Sequence, residues 1–171
     1  SKVTKIDVEF FIKTVGKNNI HIDNETLKTY STDHTENLSF LPEIVIKPIT
    51  STEISNILSY CNKRLIPITP CGARTGLSGG SLPIYGGVTL STERLNKIIK
   101  IDKKNLQATV EPGVINKEFK DFVEKDNLFY PPDPASQGSC FLGGNLAANA
   151  GGPKALKYGV TKDYVLNFEV V

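Results

Sequence analysis

The chain has 171 residues, the size of one domain or of one domain with part of another. Twenty Lys and Arg against 18 Asp and Glu give a net charge of +2, which lacks the concentrated basic surface of a dedicated nucleic-acid or anionic-membrane binder. With 14 Gly and 10 Pro the chain is neither disordered nor collagen-like, and no apolar run approaches the ~18 residues of a membrane span.

Asp7 and Glu9 interrupt the apolar start that a signal peptide needs. Residues 1–36 read as a helical lead-in, with Ile6, Phe10 and Phe11 on one face and a short turn over Asn24–Tyr30. Leu38–Pro42 links it to a buried strand, Glu43–Ile46. Thr50 and Glu53 stand at capping-box spacing. Ile54, Ile57, Leu58 and Cys61 follow at helical intervals, which predicts an amphipathic helix over 51–63. Ile66–Thr69 is a second apolar strand, so 43–69 is a βαβ unit with parallel strands and a right-handed crossover. Gly87–Ser91 reads as a strand. Lys97–Ile101 and Leu106–Glu111 flank the polar turn 102–105 as a hairpin. Ile115, Phe119, Phe122 and Val123 mark a helix over 115–126, and the prolines after Phe129 keep 129–133 extended. One or two helical turns are expected over Leu142–Ala150 and a strand over Val165–Val171. The chain stops inside that strand, so the natural protein is expected to continue.

Cys61, Cys71 and Cys140 are odd in number, without CxxC spacing or a nearby histidine, so they read as buried thiols in a reducing cytosol. His21 and His34 have no HxxxH partner, and no metal site is expected in these residues. Asn24-Glu25-Thr26 and Asn37-Leu38-Ser39 fit the glycosylation pattern, but nothing else suggests secretion.

Glycine is the most informative residue. Six lie in 72–87 and six in 138–159, leaving only Gly16 and Gly113 elsewhere. Acids avoid the same stretches: none occurs between Glu53 and Glu93, or between Asp133 and Asp163. Glycine lets a ligand approach bare amides, consecutive amides can cradle an anion, and no neighbouring carboxylate in the sequence opposes one. The first cluster leaves the end of a predicted parallel strand, where open α/β sheets bind ligands. Glycine-rich surface loops without a ligand are the plainer alternative. The Rossmann, Walker and nucleophile-elbow patterns are all absent.

Two stretches, Pro70-Cys71-Gly72-Ala73-Arg74-Thr75-Gly76-Leu77-Ser78-Gly79-Gly80 and Gly143-Gly144-Asn145-Leu146-Ala147-Ala148-Asn149-Ala150-Gly151-Gly152, are distinctive together. With Tyr158-Gly159 and Tyr30-Ser31-Thr32-Asp33 they resemble the FAD-binding domain of the vanillyl-alcohol oxidase and p-cresol methylhydroxylase superfamily, over roughly 30–171. The branch most resembled holds the glycolate oxidase flavin subunit and the D-lactate and D-2-hydroxyglutarate dehydrogenases. The resemblance implies an α+β fold, a small parallel βαβ subdomain packed with a larger mixed or antiparallel sheet flanked by helices. It implies a lead-in, 1–36, and an FAD-binding domain, 37–171, cut short and lacking its cap domain.

In that reading the amides of 70–80 wrap the FAD pyrophosphate, helped by the turn opening at Gly144. Pro132, Asp133, Pro134, Ser139, Gly143, Gly144, Asn145, Ala148, Asn149, Gly151 and Gly152 form the other wall, near the ring and ribityl chain. Asn145 and Asn149 either bond flavin oxygens or only form turns. Arg74 contacts phosphate or is a solvated loop residue. Asp133 meets a flavin-side donor or fixes its turn, and Tyr158 lies near the cofactor or fills core. The absence of histidine from 70–80 implies non-covalent FAD. No catalytic or metal residue is expected in this chain. The 2-hydroxy-acid substrate would be held by the missing cap, and the electron acceptor is open. The enzyme would be cytoplasmic, or peripheral to the inner membrane when complete, with no nucleic-acid partner. Another flavin enzyme of the same fold, such as a nucleotide-sugar reductase or a molybdenum-hydroxylase flavin subunit, and a non-redox phosphate-ligand module remain as alternatives.

Overall fold

Ile44-Val45-Ile46 offers water no polar side chain, and strands of that kind belong in the middle of a sheet covered on both faces. The computed structural model, which describes residues 1–171, places them there, with all three at 0% exposure. The chain forms two compact units, Ser1–Arg94 and Leu95–Val170.

In the first unit, α1 (Lys5–Val15) leads to β1 (Ile20–His21) and α2 (Asn24–Thr29). There follow β2 (Ile44–Ile46), α3 (Ser51–Arg64), β3 (Ile68–Cys71) and β4 (Val88–Ser91). The sheet order is β1-β2-β4-β3. β2 and β3 are both parallel to β4, and β1 pairs antiparallel with β2. The βαβ unit is therefore present with β4 inserted between its two strands, an arrangement that depends on residues twenty positions downstream. The register is held at Gly87. Its φ is +67°, and a Cβ there would lie 2.3 Å from the Pro67 carbonyl oxygen, so only glycine brings β4 in beside β3.

α3 starts where its cap spacing says. The Glu53 amide donates to Thr50 Oγ1 at 3.1 Å, and the Glu53 carboxylate accepts from the Ile49 amide, one residue before the cap. Ile57 and Cys61 of α3 meet Phe11 and Val15 of α1 over the sheet, in one cluster with Ile44, Ile46, Val88 and Leu90.

A buried ionic knot ties α1 to α3. The Asp7 carboxylate accepts from the Thr4 amide (2.7 Å), Thr4 Oγ1 (2.6 Å), Tyr60 OH (2.7 Å) and Arg64 Nε (3.0 Å). Arg64 first, against the opposing pull of burial, and then Thr4 and Tyr60 hold this carboxyl well below its usual range. A depressed carboxyl stabilises the fold above its unfolded pKa of about 4, and that contribution is lost as pH falls toward the folded value. Asp7→Ala should cost about 2–3 kcal/mol in urea unfolding at neutral pH, because Arg64 keeps partial hydration when its partner goes. The difference between variant and parent should shrink from pH 5 to pH 2. A gap that stays constant over that range would contradict this account.

In the second unit, β5 (Ile98–Asp102) and β6 (Gln107–Val110) pair antiparallel as the expected hairpin, the whole of the second sheet within these residues. α4 (Asn116–Glu124), α5 (Leu142–Ala147) and α6 (Ala155–Tyr158) follow. Val114, Phe119, Val123 and Leu142 form the core. The strand expected over 165–171 is not formed. Alternating apolar residues make a strand only with a partner for their backbone groups, and no strand pairs with this segment. No helix is long and apolar enough to cross a membrane.

Candidate cofactor site

The first glycine loop leaves β3 at Cys71, on the carboxyl side of parallel strands, as its position in the sequence requires. The amides of residues 73–78 and 80 make no hydrogen bond within the chain, whereas the Gly79 amide donates to Thr35 Oγ1 at 2.7 Å. A Cβ at Gly76 or Gly80 would meet nothing within 4 Å. Glycine at these two positions answers neither packing nor a positive φ, and what it leaves is bare backbone open to a ligand.

Two acids invisible in the local sequence come to this loop. Asp33 Oδ2 accepts from Ser81 Oγ at 3.3 Å. Glu93 accepts from Tyr30 OH and pairs with Lys47 at 2.7 Å. Burial pushes the Glu93 carboxyl up, but Lys47 and Tyr30 outweigh it and leave Glu93 below its usual value. The acid-free neighbourhood inferred from sequence is thus corrected, because chain folding brings together what spacing separates. Arg74, at φ +60°, sets its guanidinium 4.3 Å from the centre of the Tyr30 ring, a cation–π contact that orients it. Cys71 is buried, which pushes its thiol up to about 11, so it carries no thiolate for covalent chemistry.

The second glycine cluster lies in the second unit, most of it on and after α5. Gly143 is required by packing, since its Cβ would lie 2.6 Å from Pro112 Cβ. Two of the first amides of α5 are already spent, Leu142 on the Val114 carbonyl and Gly143 on the Pro112 carbonyl, both at 2.9 Å or less. The Gly144 amide itself makes no hydrogen bond within the chain. Positions 138 and 144, like 76, have open space where a Cβ would stand.

Asp133 does two things at once. Its Oδ2 pairs with Lys154 at 3.2 Å, and its amide donates to the Gly151 carbonyl at 3.1 Å. Its Oδ1 is buried without a partner. The two asparagines part company. Asn149, at φ +49°, accepts through Oδ1 from the Lys162 amide at 3.1 Å, thirteen residues further on. Asn145 is 4% exposed and its Nδ2 has no partner. Tyr158 is not core: it is 39% exposed, edge-to-face with Phe129, with Lys157 over its ring. Pro132 is buried, Pro134 half-buried and Ser139 exposed, and Ala148 lies just past the end of α5.

Asn116 went unnoticed in the sequence. It opens α4, is wholly buried, donates its backbone amide to the Cys140 carbonyl, and leaves both side-chain amide atoms unpaired. An asparagine one residue inside a helix start gives no stronger signal than any cap candidate. Asn116, Asp133 and Asn145 hold four of the five buried side-chain polar atoms that lack a partner, all in the second unit. Native proteins leave few such atoms.

The profile of a family described as FAD binding domain matches residues 42–171. This chain belongs to the FAD-binding domain family. FAD is its cofactor. Within the first unit the bare amides of 73–78 and 80 suit an anionic group such as a pyrophosphate, and within the second unit Asn116, Asp133 and Asn145 leave buried polar atoms unpaired. The FAD-binding domain is 44% identical to the glycolate oxidase subunit GlcD of Bacillus subtilis (strain 168) over 169 residues, 99% of this chain and 36% of that protein. It is 43% identical to the D-lactate dehydrogenase of Anaerostipes hadrus over 76% of this chain and 27% of that one. To the mitochondrial D-2-hydroxyglutarate dehydrogenase of Danio rerio it is 33% identical over 100% of this chain and 32% of that one. The chain spans about a third of the length of these relatives. Among solved structures, an alkyldihydroxyacetonephosphate synthase superposes with a TM-score of 0.89 at 20% identity, over 98% of this chain and 36% of that one. A p-cresol methylhydroxylase superposes at 0.63 and 28% identity, over 74% and 26%. The α+β fold expected from the sequence is thereby borne out.

Proposed function

We propose that this chain is the FAD-binding portion of a flavoenzyme that oxidises a 2-hydroxy acid of the glycolate, D-lactate or D-2-hydroxyglutarate type. The observation that carries this reading is the identity of 33–44% to three relatives named for such substrates, each covering at least 76% of the chain. Residues 37–171 are the FAD-binding part and 1–36 its lead-in. FAD, when bound, supplies the acceptor for the substrate's α-hydrogen and its electron pair.

This chain's own residues bind and orient. The unpaired amides of 73–78 and 80 face the pyrophosphate, which is a role for backbone dipoles and needs no side-chain charge. Asn145 Nδ2 donates to a flavin oxygen, and Pro132, Pro134, Ser139 and the Gly151-Gly152 turn shape the wall around it. Asp133, already neutralised by Lys154, accepts from a flavin-side N–H through Oδ1. Attachment is non-covalent, in keeping with the lack of histidine in 70–80 and the buried, protonated Cys71. The groups that hold the substrate carboxylate lie outside these residues.

The test is anaerobic mixing of the FAD-loaded full-length protein with D-lactate, glycolate and D-2-hydroxyglutarate. Bleaching of the flavin absorbance by at least one of them is expected, and acid precipitation should then release all flavin into the supernatant. Reduction by none of the three would sink the substrate class, and yellow precipitate would sink non-covalent binding.

A further inference from the structure

Three consecutive residues of the segment before β2 grip the first glycine loop. The His34 amide donates to the Gly76 carbonyl at 3.1 Å. Thr35 Oγ1 accepts from the Gly79 amide at 2.7 Å. Asp33 Oδ2 accepts from Ser81 Oγ at 3.3 Å, while its Oδ1 accepts from the Thr35 amide at 2.8 Å and so fixes the grip itself. The segment is in turn anchored, with the Phe40 amide on the Ser31 carbonyl at 2.8 Å and the Ser31 and Ser39 hydroxyls 3.1 Å apart.

Each contact lands where the loop needs support. Gly79 sits at φ +71°, a conformation that glycine enters readily and also leaves readily. Its amide is the one in the loop that is not free, so it does not serve the ligand. It serves as the handle by which Thr35 holds the rest. Gly76 is gripped through its carbonyl, which leaves its amide on the unbonded side. We infer that Asp33 and Thr35 are positioning residues that hold the 76–81 loop in its cofactor-binding shape before FAD arrives. This rests on the reading of 73–80 as the pyrophosphate cradle. The benefit is preorganisation: a loop already ordered does not lose its freedom on binding, and the affinity is higher by that amount. Charge has no part in it, since a carboxylate beside a pyrophosphate acts against binding. Asp33 is present for its two acceptor oxygens.

The experiment compares Thr35→Val, Thr35→Ser and Asp33→Asn by FAD titration and by hydrogen exchange of the apo protein. Thr35→Val keeps the shape and loses the acceptor. It should weaken FAD roughly 5- to 20-fold and speed exchange in 76–81 while leaving the melting temperature and exchange in α3 unchanged, as expected of a local preorganisation effect. Thr35→Ser should restore both affinity and protection. Asp33→Asn keeps an acceptor for Thr35 and gives Ser81 a donor, so FAD should bind as well as to the parent or more tightly. Parental affinity and exchange in Thr35→Val, or failure of Thr35→Ser to rescue, overturns the inference. Should Thr35→Val not fold, Ser81→Ala removes the Asp33 contact alone. It should weaken FAD about threefold with faster loop exchange, and unchanged values there defeat the inference equally. A parent that binds no FAD overturns the cradle reading instead, and apo exchange still decides the grip.

Discussion

Gly76→Val should lose FAD affinity by roughly 100-fold or more while melting at the parental temperature. The separation of the two effects comes from geometry. A Cβ at Gly76 meets nothing within 4 Å, and this glycine has no positive φ, so the folded apo chain accommodates the branch. The space the branch fills is the space a phosphate needs to reach the unbonded amides of 73–78. Blocking two such charge-assisted bonds, at ~1.5–3 kcal/mol each, gives a loss of that size. Gly144→Val should behave likewise on the flavin side, since its Cβ is also unopposed. Gly87→Val is the contrasting control: with Pro67 at 2.3 Å and φ at +67°, it should fail to fold. Arg74→Ala should loosen FAD only a few-fold, because its guanidinium is occupied by Tyr30, a contact worth ~0.5–1 kcal/mol where exposed and more where desolvated. Calorimetric titration with FAD and thermal melts of the same samples check all four. A folded Gly76→Val protein with parental affinity would move the pyrophosphate away from this loop.

What the sequence revealed and what it hid divide along the range of the interaction. α3 was legible because Thr50, Glu53, Ile57 and Cys61 act within a few turns of one another. β2 was legible because an uninterrupted apolar triplet has few places to go. The insertion of β4 between β2 and β3 was not, because it is decided by Gly87 passing the Pro67 carbonyl. The site shows the same division. Two glycine clusters marked where a ligand approaches, but Thr35 and Gly79 are 44 residues apart, and no spacing rule connects them. Glu93 reached the loop through Tyr30, 63 residues away. The segment 165–171 failed in the other direction: its alternation was real, but a strand is a property of a pair. Asn145 and Asn149, four residues apart in one motif, look equivalent in sequence, and only the fold shows that Asn149 accepts from the distant Lys162 amide while Asn145 Nδ2 has no partner.

That difference makes Asn145→Leu the most informative single change in the second unit. Its Nδ2 is buried and makes no hydrogen bond within the chain, and such a group, left unpaired, carries a desolvation penalty of about 1–3 kcal/mol. Leucine is close in size and has no polar atom to desolvate. The apo variant should therefore be more stable than the parent, melting roughly 2–6 °C higher for a chain of this length. FAD affinity should fall at least about tenfold if the unpaired donor is the one proposed to meet the flavin. Asn149→Leu should do the opposite on both counts: it loses the bond to the Lys162 amide and places a branched side chain at φ +49°, so stability falls. Its effect on FAD should be no larger than that loss of stability explains. A rise in melting temperature together with a fall in affinity is hard to obtain from a residue that only packs. If Asn145→Leu destabilises the apo protein, the unpaired amide has a partner in solution and its assignment to the flavin fails. If it stabilises the protein and FAD still binds as before, the penalty is real but the cofactor is not what relieves it.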